Sequence, residues 1–278
     1  MSAARPSRLW RSLAWPGRIG LAIVDFWLAM AAFGGWVAPH DVGAVVSQEV
    51  FGAFSARHPL GTDYLGRDML SRILHGSRFT IGLALAAALA ASTCGTAIAL
   101  AAATAGGWID EAVSRVMDAF ISIPSKMLAL VMVAAFGSSP VLLILTAALS
   151  YTPGAFRIAR ALAVNVRTLE YVQTARARGE GLAYIAAVEI LPNMVNPMLA
   201  DFGLRFVFVV LLLSGMSFLG LGVQPPDADL GSLVRENISG LFEGAPAVIV
   251  PAAAIATLTV GVNMLIDSVS GRARAVEA

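Results

Sequence analysis

The chain has 278 residues, of which 58% are hydrophobic and only 13% charged, with a net charge of +1. That charged share is about half that of a typical soluble domain, which excludes a water-soluble fold, since one of this length could not hide so much apolar side chain. The near-neutral balance excludes the global basic field that recruits nucleic acid. Cys94 is the single cysteine, and no Cys or His is near it in sequence, which excludes a disulfide framework or thiolate metal site within the chain.

Apolar runs bounded by charge, Pro or Gly predict an all-α integral membrane protein with about six transmembrane helices. The runs are Ile19 to Val37, Thr80 to Ala105, Ala119 to Phe136, Val141 to Ile158, Phe206 to Leu221 and Ala245 to Ile266. The corresponding organisation is an N-terminal tail (1–18), a first span (19–38), an outer segment (39–79), a five-helix core (80–268) with an inner loop (159–201), and a C-terminal tail (269–278).

The first run has an arginine-rich front and could be read as a secretory signal. Its length, Asp25 and the lack of an A-x-A site at its end favour a retained helix. The third run begins amphipathic, because Pro124 and Lys126 precede the continuously apolar Met127 to Phe136. Asp25, Lys126 and Asp267 lie in or beside apolar runs, where an unpaired charge at mid-bilayer costs about 2.5–3.5 kcal/mol. Lys126 and Asp267 fall near the expected cytoplasmic face and can snorkel, whereas Asp25 is deeper.

Orientation follows from the arginines. With the N-terminus inside, thirteen fall in inner segments, Arg205 among them, and five in outer segments. Retention of basic loops then places both termini in the cytoplasm.

Two hydrophilic regions remain. In the outer one, Gly61, Asp63, Gly66, Arg67 and Asp68 either shape a periplasmic mouth or form local pairs, with Asp68 and Arg72 at helical spacing. The inner region predicts a helix capped by Asn165 or Thr168 and ended by a left-handed Gly179. A second short helix follows from about Leu182 and is interrupted by Pro192.

The block Gln173-Thr174-Ala175, then Gly179, then Leu191-Pro192 has the spacing of the signature loop of bacterial ABC importer permeases. Gln and Thr replace the first two signature letters, and Glu189 stands where the general pattern has Ile. The run His58-Pro-Leu-Gly-Thr-Asp-Tyr-Leu-Gly-Arg-Asp68 and the run Ser217-Phe-Leu-Gly-Leu-Gly-Val-Gln-Pro-Pro226 resemble the dipeptide, oligopeptide and nickel branch of that family. The likeness is nearest to the second, C-type permease and extends over roughly residues 58 to 268.

The resemblance implies a type I importer membrane domain with a cytoplasmic coupling helix, forming half of a pathway for peptides or related small solutes. It also implies as partners a second permease subunit, two ABC ATPase subunits, a periplasmic substrate-binding protein and the lipid bilayer. The sequence has no G-x-x-x-x-G-K-[ST], so this chain has no catalytic role and no cofactor of its own, and ATP with Mg belongs to partner subunits.

On this resemblance the coupling element comprises Gln173, Thr174, Ala175, Arg176, Arg178, Gly179, Glu180, Leu182 and Ala183, closed by Leu191 and Pro192. Ala175 and Leu182 are its apolar contacts, and Arg176, Arg178 and Glu180 its rim charges. Candidate pore-lining residues are Ser214, Gly215, Ser217, Phe218 and Gly220. Nickel complexes, sugars or opines are alternative cargoes within the branch. An ion-coupled secondary transporter would carry repeated halves, which are not evident. A membrane enzyme would need motifs such as H-E-x-x-H or G-x-S-x-G, which are absent.

Overall fold

The computed structural model describes residues 15–277, with side chains placed as far as residue 270. Residues 1–14 of the expected N-terminal tail lie outside these residues, whereas 269–277 of the expected C-terminal tail continue the last helix. In chain order the helices are α1 (Trp15–Val37), α2 (Met69–Ala105), α3 (Gly107–Ile121), α4 (Ser125–Phe136), α5 (Pro140–Arg167), α6 (Glu170–Ala177), α7 (Leu182–Phe218), α8 (Leu230–Glu236) and α9 (Pro246–Glu277). Five of them, α1, α2, α5, α7 and α9, are long and apolar enough to cross a bilayer. The bent pair α3 and α4, which meet at 80°, supplies the sixth crossing if it counts as one span. The bend falls at Pro124, which lacks the donor needed to continue α3 into α4.

Small residues set the packing. Ala84, Ala88, Ala91, Gly95, Ala99 and Ala103 recur at helical spacing on α2 and face Ala147, Ala155, Ala159 and Ala163 of α5. A Cβ at Gly95 would stand 2.5 Å from the Ala155 Cβ and 2.8 Å from the Phe156 nitrogen, so these helices approach to backbone contact. The α1–α9 crossing is similarly close, because a Cβ at Gly20 would meet the Gly261 carbonyl at 2.7 Å. Trp27 Nε1 donates to Thr257 Oγ1 across the same crossing. The first helix therefore packs on α2 and α9, while α4 packs on α5 and α7.

Three boundaries differ from the sequence reading. The second span starts at Met69 rather than Thr80, because Asp68 caps it: Oδ2 accepts from the Ser71 nitrogen at 2.9 Å and its hydroxyl at 2.6 Å. The charges on its first turns are paired by tertiary contacts that hydropathy cannot register. Pro192 does not interrupt the helix beginning at Leu182. Residues Ile185–Ile190 form a π-helical turn, and Pro192 occupies the first turn of the α-helix that follows, where a missing donor is harmless. Arg205 consequently sits inside a continuous membrane helix and not in a loop.

After α7 the chain re-enters the bundle. The capping box Asp229–Ser232 starts α8, which packs against α2, α7 and α9. Gly231 is required there, since a Cβ would stand 2.4 Å from the Ser214 carbonyl.

Candidate functional site

The loop joining α5 to α7 is an elbow built on two buried residues. Val172 and Ala175, one turn apart on α6, are fully buried against Ile185, Ile190 and Met194 of α7 and the alanines of α2 and α5. Ala175 therefore faces this chain's own core, and the sequence reading of it as a contact for a partner is corrected. Leu169, and not Asn165 or Thr168, occupies the cap position of α6; Thr168 closes α5 instead.

The far end of α6 closes with a Schellman motif. The Gly179 nitrogen donates to the Arg176 carbonyl, and the Glu180 nitrogen to the Ala175 carbonyl. Gly179 has φ +85°, the left-handed region that glycine enters without penalty, and a Cβ there would meet nothing within 4 Å.

The elbow's cations divide by role. Arg176 donates to the Thr104 carbonyl and Arg167 to the Ala103 carbonyl, so both satisfy the open end of α2. Arg176 is thus anchored to this chain, contrary to its expected place among rim charges. Arg178 lies 3.9 Å from Glu180, and both reach solvent. Gln173, Thr174, Arg178, Leu182 and Ala183 are exposed, Leu191 is half-buried, and Pro192 is exposed.

Sequence reasoning missed Tyr171 and Tyr184, each 41% exposed, while Leu182, which it named, is 53% exposed. Given that Val172 and Ala175 face inward, the helical period puts Tyr171 and Thr174 on a neighbouring stripe of α6.

At the other end of the bundle the outer segment is fastened by a buried charge cluster. Asp63 Oδ2 accepts from Arg67 Nε at 2.6 Å and Arg72 Nη1 at 2.7 Å, and Glu236 Oε2 accepts from the same two guanidinium groups at 3.1 and 2.9 Å. Arg72 accordingly pairs with Asp63 and Glu236, not with Asp68 as its spacing had indicated. Burial draws the Arg67 pKa down, but Asp63 and Glu236 outweigh it and leave the group above its ordinary value. Tyr64 joins α8 through its nitrogen, which donates to Asn237 Oδ1 at 3.0 Å.

Gly61 and Gly66 adopt φ +76° and +74°, and Cβ atoms there would collide with the carbonyls of Gly52 and Ser47. Asp63, Arg67 and Asp68 are all buried, so these five residues hold the outer segment's shape from within. His58 Nδ1 lies 3.2 Å from Asp68 Oδ1. Burial raises the Asp68 pKa, but hydrogen bonds from Ser71 and His58 and the nearby His40 outweigh it and hold the carboxyl below its ordinary value.

Between these ends, α7 carries the candidate pore residues. Ser214 and Ser217 are buried against the re-entrant segment, where Ser217 Oγ donates to Asp229 Oδ2 at 2.5 Å, so both are directed away from open space. Gly215 and Phe218 instead line a crevice of about 230 Å³ together with Lys126, Leu212 and Leu219. Gly220, at φ +85°, ends α7 with a second Schellman motif, in which the Leu221 nitrogen donates to the Met216 carbonyl.

Lys126 is therefore beside the end of α7 remote from the elbow. The α3 helix occupies the elbow half of the broken span, tied to α5 by Asp110–Arg160 and Asp118–Arg157. About two thirds of the way along α7, Arg205 pairs with Asp201 at 2.6 Å and donates to the Tyr151 carbonyl at 2.8 Å, beside Pro153–Gly154 of α5.

The fold is a helical membrane bundle with a short helical elbow between two of its spans. The comparisons make the class specific. The chain belongs to the binding-protein-dependent transport system inner membrane component family, whose model matches residues 95–275. It is 32% identical over 247 residues to a probable D,D-dipeptide transport system permease protein of Escherichia coli K12, covering 89% of this chain and 83% of that one.

It is also 32% identical over 225 residues to a nickel transport system permease protein of the same strain, covering 81% of each. A glutathione transport system permease protein of Pectobacterium atrosepticum is 32% identical over 213 residues, 77% of this chain and 71% of that one. The chain is thus an ABC importer permease, a transport subunit and not an enzyme.

Proposed function

We propose that this chain forms half of the translocation pathway of an ATP-driven importer for peptides or related small solutes in the bacterial inner membrane. It pairs with a second permease, engages two ATPase subunits at the elbow, and receives cargo from a periplasmic binding protein at the opposite face. ATP and Mg are bound by the ATPase subunits, and this chain holds no cofactor. Both termini and the elbow lie in the cytoplasm, and the Asp63–Arg72–Glu236 cluster lies on the periplasmic side.

The observation that carries the reading is the elbow itself. Its inward stripe of Val172 and Ala175 fastens it to α2, α5 and α7, while Tyr171 at the start of α6 and Leu182 and Tyr184 after the Gly179 turn remain exposed. Exposed aromatic and aliphatic side chains on a short helical elbow are the kind that seat in a partner's groove. The inward fastening lets force applied there reach α7.

The test is a disulfide cross-link between a cysteine at Tyr171 or Tyr184 and a cysteine scan of the ATPase groove, in membranes where Cys94 has been replaced by Ser. Cross-links that strengthen or weaken on addition of ATP support the assignment. Absence of any cross-link, with the ATPase co-purifying, would move the contact elsewhere on the chain.

A further inference from the structure

Asp25 stands at the middle of α1. Two exposed tryptophans, Trp15 and Trp36, mark the ends of that helix, and each lies about 15 Å along the axis from Asp25 at 1.5 Å per residue. Tryptophans collect at membrane interfaces, and the hydrocarbon layer is about 30 Å thick, so Asp25 falls at its midplane. An aspartate side chain is too short to reach either interface from there, unlike the long cations that snorkel.

Packing fixes the direction in which it points. At about 100° per residue, Gly20, Trp27 and Gly34 lie within about 40° of the point opposite Asp25, and all three are buried against α2 or α9. Asp25 is accordingly exposed and faces away from this chain's own bundle, with the exposed Ala22 and Ala32 on the same side of the helix. Among the described residues, no cation lies within ion-pair distance of it and no side-chain hydrogen bond reaches it. Arg18 shares the face but is two turns away, about 10 Å along the axis. By contrast, Arg72, Arg160 and Arg205 on α2, α5 and α7 are each matched to a carboxylate of this chain.

Lipid does not account for this arrangement. Ionisable groups at mid-membrane are disfavoured in hydrocarbon, and they face other helices or water and pair with a group of opposite charge. No residue of α1 lines the crevice between α4 and α7, so a water-filled path there does not reach Asp25 either. What remains is a helix of another chain.

We propose that the outward face of α1 seats a transmembrane helix of the second permease that carries an arginine or lysine at the depth of Asp25. Ala22 and Ala32 keep the surface around the carboxylate low, so the partner's backbone can approach and the two helices together shield the ion pair from lipid. Charge also selects the partner, because a second copy of this chain meeting it through this face would set carboxylate against carboxylate. The inference rests on the two-permease reading and gives that pairing a chemical basis.

In the complete importer in native membranes, benzoylphenylalanine would replace Ala22 or Ala32, and the adducts formed on illumination would be mapped by mass spectrometry. The expected adduct is with a transmembrane helix of the second permease that carries a lysine or arginine near its midpoint. Adducts with lipid alone, with a second copy of this chain, or with a helix lacking both residues overturn the proposal.

Asp25→Leu adds a readout whose sign depends on the surroundings. On a face turned to lipid, leucine is the better residue and the complex would hold as well as before. In the ion pair, leucine strands the partner's cation, so retention of this chain on a tagged second permease through detergent washing is expected to fall about fivefold, while Asp25→Glu holds within about twofold. Unchanged retention of Asp25→Leu also overturns the proposal. The importer reading is scored separately, by whether the binding protein stimulates ATP hydrolysis in the unmodified complex. Stimulation alongside lipid-only adducts defeats the Asp25 contact alone, whereas absence of stimulation defeats the importer reading and the adducts still decide the contact.

Discussion

Substitution of Gly179 separates the elbow's internal geometry from its external one. The residue holds φ +85°, and a Cβ meets nothing within 4 Å. A left-handed residue bearing a side chain is disfavoured by about 1 kcal/mol, and the open space makes that penalty nearly independent of side-chain size. Gly179→Ala and Gly179→Trp are therefore expected to lower the unfolding free energy of the isolated chain by the same amount, read by denaturant titration in mixed micelles. Function should distinguish them. If the turn seats in an ATPase groove, the alanine leaves binding-protein-stimulated ATP hydrolysis within about twofold, whereas the indole collides with the partner and reduces it about tenfold, equivalent to about 1.4 kcal/mol. Equal activity of the two variants would refute the seating. A tryptophan variant several kcal/mol less stable than the alanine variant would refute the open environment.

Asp63→Asn leaves two buried guanidinium groups facing one carboxylate and should destabilise the outer segment by about 3–5 kcal/mol, seen as faster amide exchange over 45–72. Arg205→Met strands Asp201 and should destabilise by a similar amount, while Asp201→Leu combined with Arg205→Met should recover most of it in thermal unfolding. Asp68 has its folded pKa depressed, so its stabilisation is complete above the ordinary carboxylate value and disappears as pH falls through the lower folded value. Stability of the α2 start should thus be flat near neutrality and fall in acid, and Asp68→Asn should remove that fall in a pH series of exchange rates.

The apolar runs were legible as spans because hydropathy is a local property, and the Gly179 turn was legible because only glycine enters that conformation freely. What escaped reading was pairing at a distance. Arg72 and Glu236 meet across more than 160 residues, so the sequence offered Arg72 only Asp68 as a partner and left Arg67 open between a mouth and a local pair, whereas both join Glu236 in an internal fastening. Arg205 entered the count of inner arginines because nothing in its neighbourhood announced that Asp201, one turn earlier, would be buried with it. Pro192 suggested a break, and only the π-helical turn before it shows how the helix absorbs the missing donor. Ala175 looked like a contact for a partner because small apolar residues read alike whether they face in or out.

The continuity of α7 has a mechanical consequence. Leu182–Phe218 is 37 residues, or about 55 Å at 1.5 Å per residue. Arg205, bonded to the Tyr151 carbonyl, divides it into arms of about 35 and 20 Å. A rod held at that fulcrum tilts with opposite displacements at its ends, in a ratio of about 1.8 to 1 from those arm lengths. A push of about 4 Å on the elbow would then swing Gly215 and Phe218 back by about 2 Å, which would open or close the crevice beside Lys126 without breaking a backbone hydrogen bond.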